Sequence, residues 1–136
     1  MNQIQVSTVI DKPQEFVWDL WTDPEHIVNW NFASEDWCCP SATVSLVPGG
    51  DFTWRMEARD ESMGFDFKGV FVHIEPGELL TYRLDDGRMV RIEFKSVGSG
   101  TEIIEYFDPE KMNTEELQRS GWQAILDNFK KYAESL

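Results

Sequence analysis

Histidine and cysteine are scarce in this chain of 136 residues, two of each, and the cysteines, Cys38 and Cys39, are neighbours. A bridge between adjacent cysteines closes a strained ring, so they form no disulfide framework, and two free thiols fit a reducing compartment. There is no Cys-x-x-Cys pair, no His-Glu-x-x-His and no Gly-rich phosphate loop. The expectation is a protein without a metal and without a cofactor.

Positive charge is also in short supply. Twelve Lys and Arg stand against twenty-five Asp and Glu, a formal net charge of −13 spread along the chain. Such a surface repels phosphate backbones, which argues against nucleic acid as a partner. The acidity serves solubility, or attraction of a basic protein partner. Long apolar runs are missing too: no window approaches the roughly 18 apolar residues of a membrane span. The opening MNQIQVSTVIDKPQ has no basic stretch followed by an apolar run. Together these readings predict a cytoplasmic protein.

What is present is apolar and aromatic. Apolar residues make up 41% of the chain and aromatics 13%, with six Trp and nine Phe. That is too much apolar surface for a disordered segment, and the length suits one domain over residues 1–136.

Residues 2–10 alternate, with Ile4, Val6, Thr8 and Ile10 on one side, and predict a half-buried first strand. Asp11 and Pro13 then start a short helix whose stripe is Phe16, Val17, Leu20 and Trp21, ending near Thr22. Asp23-Pro24-Glu25 repeats the cap-then-proline arrangement ahead of Ile27, Val28 and Trp30. No period is visible over 31–40, which predicts a packed loop beside a pocket.

Six strands follow at 42–47, 51–58, 63–74, 79–84, 89–97 and 101–107. Glycine-bearing or short polar turns separate them, the pattern of an antiparallel meander. Residues 113–136 return to helical spacing, with Leu117, Gly121, Trp122, Ile125, Leu126, Phe129, Tyr132, Ala133 and Leu136 on one face and Asn113 or Thr114 as the cap. The fold class is therefore α+β: a curved antiparallel sheet of about seven strands closed over a long C-terminal helix, the helix-grip arrangement.

Several local words carry a family resemblance. They are the run from Val17-Trp18-Asp19 to Asp23-Pro24-Glu25 with Trp30 after it, Val47-Pro48-Gly49-Gly50, Gly69-Val70 with Ile74-Glu75-Pro76, and Gly121-Trp122. In this order and spacing the chain resembles the activator of the ninety-kilodalton heat-shock ATPase and its homologues, a branch of the START and birch-pollen-allergen-like (SRPBCC) superfamily. The resemblance implies a cavity between sheet and helix, which the superfamily uses for lipids, sterols, polyketides or plant hormones. It does not imply one activity. Relatives often carry Arg where this chain has Val47.

Candidate site residues follow from the side chains themselves. Trp30, Trp37, Trp54, Phe94, Trp122 and Phe129, together with Phe52, come from elements that face one space in such a fold, either as core or as a binding wall. His73 shares a strand face with Phe65, Phe67 and Phe71 and meets a ligand if that face is concave. His26 reads as a solvated surface residue. Arg91 and Glu93 read as an outer-face charged pair, with Arg55 placed similarly. Glu105 can turn inward with Ile103, where burial raises a carboxyl pKa and makes a base of it, but no partner for acid-base work is evident. Gly121 in mid-helix either lets the helix approach a strand closely or leaves room at a pocket mouth.

Three functions are open on these grounds. The first is a binder of a small apolar or amphipathic ligand. The second is a protein that interacts with a chaperone, although the established activators carry an additional N-terminal domain for which this chain has no room. The third is an enzyme of the cyclase or hydrolase kind, for which no catalytic pair is evident.

Overall fold

The computed structural model describes residues 3–136, so Asn2, at the start of the expected first strand, lies outside the described residues. The chain runs β1 (Ile4–Ile10), α1 (Gln14–Thr22), α2 (Pro24–Ile27), β2 (Trp37–Val44), β3 (Asp51–Ala58), β4 (Gly64–Glu75), β5 (Leu79–Leu84), β6 (Met89–Val97), β7 (Gly100–Phe107) and α3 (Glu115–Glu134). All seven strands join one antiparallel sheet in the order β1-β7-β6-β5-β4-β3-β2. This is the α+β helix-grip fold expected from the sequence: two short helices after the first strand, a meander, and a long last helix over the sheet.

Period-two alternation sorts the inner face from the outer. Phe52, Trp54, Met56 and Ala58 of β3 are buried, as are Leu80, Tyr82 and Leu84 of β5 and Val90, Ile92 and Phe94 of β6. The polar residues between them face water. On that outer face Arg91 Nε donates to Glu93 Oε2 at 2.8 Å along one strand. Arg55 donates to Glu57 at 2.9 Å and to Asp66 across the strand pair at 3.3 Å. These exposed pairs are each worth at most about 1 kcal/mol.

Three boundaries differ from expectation. The stretch 31–40 is not all loop, because β2 starts at Trp37 and carries a bulge between Cys38 and Ser41 around Pro40. Asp11 does not cap α1, whose N-cap is Pro13 with no side-chain cap bond. The Asp11 backbone N–H instead donates to Glu134 Oε2 at 2.9 Å, tying the approach to α1 to the end of α3. Leu117 of α3 is exposed, and the inward position belongs to Gln118. The Gln118 amide donates to Glu110 O and Asn113 O and accepts from Glu110 N, so it closes the turn that feeds the helix.

Side chains of α3 fix its place on the sheet. Leu126, Phe129 and Ala133 are fully buried. Gln123 and Lys130 donate to the backbone carbonyls of Ser7 and Val9 in β1 at 3.1 and 2.6 Å, and Asn128 donates to Trp30 O at 2.8 Å. His26 is half-buried rather than solvated, its Nδ1 2.7 Å from the Tyr132 hydroxyl, which joins α2 to α3. No described helix is long and apolar enough to cross a membrane.

Candidate functional site

The inner sheet face and α3 do not close completely, and a cavity of about 230 Å³ remains between them. Trp54 and Met56 reach it from β3, Phe65 and Phe67 from β4, and Tyr82 from β5. The β3/β4 register explains the grouping: Trp54 pairs with Phe67 and Met56 with Phe65, so the four side chains leave the same face of neighbouring strands. Trp54 and Phe67 stack with centroids 5.4 Å apart and planes within 7°.

The opposite wall comes from helices and from the turn after α2. Trp21, at the end of the α1 stripe, lies against Trp30 with centroids 4.8 Å apart. Asn31 and Ala33 follow in the chain, and Gly121, Trp122 and Ile125 face the cavity from α3. Ala33 and Phe65 are exposed as well as lining, so the cavity reaches the surface between them. A Cβ at Gly121 would meet nothing within 4 Å. Of the two roles open to this glycine, close approach to a strand is therefore ruled out, and the missing side chain enlarges the cavity.

Among the described residues Glu105 brings the one carboxyl group of the wall. It stands in β7 between Val6 of β1 and Ile92 of β6, facing inward with Ile103 and Phe107, and is 4% exposed. Burial pushes its carboxyl from the ordinary 4.5 up to about 8, with no hydrogen bond or charge to offset it. The Tyr82 hydroxyl is raised well above 10, first by burial and then by the nearby Glu105. Two indole N–H groups in the same wall, Trp21 Nε1 and Trp54 Nε1, are buried without a hydrogen-bond partner. The Asn31 amide nitrogen also lacks an ordinary hydrogen bond and lies beside the Cys39 thiol, a weak acceptor. Trp30, by contrast, is satisfied, donating to Leu20 O at 3.0 Å.

The eight candidate residues separate in space. Trp30, Trp54, Glu105 and Trp122 line the cavity. Phe94 and Phe129 are core residues packed on Trp18, Trp21 and Trp30. Trp37 packs edge-on against Phe65 at 6.0 Å, outside the lining. His73 is away from the site altogether. A bulge between Phe71 and His73 turns the strand, and the imidazole is exposed with its Nε2 2.8 Å from Glu75 Oε2. Phe65 and Phe67 line the cavity from the strand face on which the sequence expected His73, whereas Trp21, Asn31, Ala33 and Tyr82 are not among the candidate residues; the inward alternation of β5 is the signal that marks Tyr82.

These features can be set beside known proteins. The sequence pattern of the family described as "Activator of Hsp90 ATPase homolog 1-like protein" matches residues 11–134. The chain belongs to this family. A solution structure of an AHSA1-like protein from Aeromonas hydrophila is similar over 97% of this chain and 93% of its own, with 44% identity and a TM-score of 0.89. A solution structure from Cytophaga hutchinsonii is 47% identical over 99% of this chain and 94% of its own, with a TM-score of 0.85. A crystal structure from Nitrosomonas europaea shares the fold at 20% identity, with a TM-score of 0.81 over 98% of this chain and 95% of its own. No curated protein matches. As an AHSA1-like protein with the helix-grip fold, the chain sits within the SRPBCC superfamily.

Proposed function

We propose that this AHSA1-like chain is a cytoplasmic single-domain binder of a small apolar or amphipathic ligand, held between the sheet and α3. The observation that carries the reading is the cavity of about 230 Å³. Its walls are mostly aromatic, the indole N–H groups of Trp21 and Trp54 have no partner there, and the carboxyl of Glu105 is buried with nothing to offset the cost. Burying such groups costs about 1–3 kcal/mol each, and a core under selection for stability alone would replace them. An apolar cavity with a few convergent polar groups is the usual form of a small-molecule site. At this size it suits a ligand of one or two rings better than a sterol, since drug-sized sites run to roughly 300–1,000 Å³.

The test is direct. Protein purified from its own host is sprayed under native conditions and searched for a co-purified small molecule. In parallel, tryptophan emission and melting temperature are followed through a panel of fatty acids, sterols and ring-bearing small molecules. Binding is expected to change the emission of the wall indoles and raise the melting temperature. If the whole panel leaves both unchanged at high micromolar concentration and no co-purified molecule is found, the binding reading fails. A chaperone-directed role, in keeping with the family's description, then takes its place.

A further inference from the structure

Among the described residues the cavity wall has one carboxyl group, no basic residue and aromatic faces on most sides. A cationic group over aromatic faces is attracted by their quadrupoles, more strongly when water is excluded. A buried carboxyl without a counter-charge is completed by a cation and repelled by an anion. The net charge of −13 acts in the same sense outside, concentrating cations near the mouth and repelling anions.

Resting on the ligand-binding reading above, we propose that the ligand is an amine: a small ring-bearing ammonium whose nitrogen sits among Trp54, Phe67, Tyr82 and Trp122 and pairs with Glu105. The unpartnered indole N–H groups of Trp21 and Trp54 add an acceptor oxygen on the ligand body to that description. A carboxylate ligand finds no cation in the wall to meet.

The pairing has a consequence for pH. Without ligand the Glu105 carboxyl titrates at about 8. Its neighbours across the strands, Val6 and Ile92, are apolar, and Trp122 and Ile125 face the cavity from α3. Among the described residues the other titratable group in the wall is Tyr82, which holds its proton well past that range. An alkyl amine stays charged to about pH 10. A cation that pairs with ionised Glu105 must therefore bind more tightly as pH rises from 6 to 9, by up to about 90-fold when the protonated carboxyl contributes nothing.

Three probes of like shape separate the outcomes: phenylpropylamine, phenylpropanol and phenylpropionate, titrated into the intact chain by calorimetry at pH 6 and pH 9. The amine is expected to bind best at pH 9 and to weaken steeply at pH 6, with the alcohol nearly flat and the acid weakest. In Glu105→Gln the amine should lose its pH dependence and most of its advantage over the alcohol at pH 9, keeping only what the aromatic faces supply. An alcohol that matches the amine at pH 9 in the wild type, or an amine affinity flat with pH, overturns the amine assignment and leaves the pocket reading standing. If none of the three gives heat or changes tryptophan emission, the amine assignment falls, and the ligand-binding reading stands or falls on the broader panel and the search for a co-purified molecule.

Discussion

The indole of Trp122 lies flat on the ring of Phe107, with centroids 3.8 Å apart and planes within 9°. One residue belongs to α3 and the other to the last strand, so the stack fixes how close the helix comes to the sheet at the cavity. The indole also meets Phe67 edge-on at 6.2 Å. Trp122 is thus both a spacer and a wall, and Trp122→Ala should cost about 2–4 kcal/mol, below the full value for a buried tryptophan because the ring is half-exposed. Chemical denaturation of the two proteins measures it; a loss under 1 kcal/mol would show that the stack does not hold the helix.

Leu126→Asp should leave the domain unfolded at room temperature, since Leu126 is fully buried and an unpaired carboxylate there has nothing to bind. Glu134→Ala, which removes an acceptor for Asp11 N–H and an exposed partner of Lys130, should cost about 1 kcal/mol or less. Melting curves that place the two variants together would contradict the position of α3.

Gly121→Ala should raise stability by about 1 kcal/mol, because a mid-helix glycine carries that penalty and its Cβ position is empty. The added methyl points into the cavity, so any ligand that binds there should bind more weakly. A variant that is more stable with unchanged binding would separate the glycine from the site.

Glu105→Gln tests the buried acid through stability alone. Between pH 4.5 and 8 the folded chain keeps a proton on Glu105 that the unfolded chain has lost, so wild-type stability falls as pH rises through that window. The glutamine variant has no such proton. The two should be similar near pH 4.5, with the variant gaining steadily up to pH 8 and holding its lead above. A difference in melting temperature that stays flat with pH would show an ordinary carboxyl.

The thiols should differ in reactivity. Cys38 is half-buried, whereas Cys39 is buried and its pKa is pushed up to about 11, chiefly by burial and further by Cys38. A thiol reagent at pH 8 should modify Cys38 first and Cys39 only on unfolding, and should count two thiols in denaturant. Equal rates in the native state would contradict the burial.

The element order was legible because two independent periods, 2 for the strands and 3.6 for the helices, changed where turn residues and cap-then-proline pairs marked boundaries. Glu105 was legible for the same reason, sharing its strand face with Ile103. His73 was not, since a single inserted residue between Phe71 and His73 reverses the faces and leaves no mark in composition. Phe94 and Phe129 face inward as wall residues do. Depth separates core from wall here, and alternation reports direction without depth. Asn31 and Ala33 sit in a stretch with no period, where only tertiary packing decides what touches the cavity.

The anchoring of α3 also bears on how the chain avoids its own copies. An open sheet ends in two strands whose outward N–H and C=O groups can recruit further strands and start aggregation. At one end, Gln123 and Lys130 occupy the outward carbonyls of Ser7 and Val9. At the other, Pro40 removes a donor and the bulge beside it breaks the straight run of β2. The helix that closes the cavity and the irregular strand at the far margin thus act together as stoppers, blunting both places where a half-barrel of this kind could polymerise.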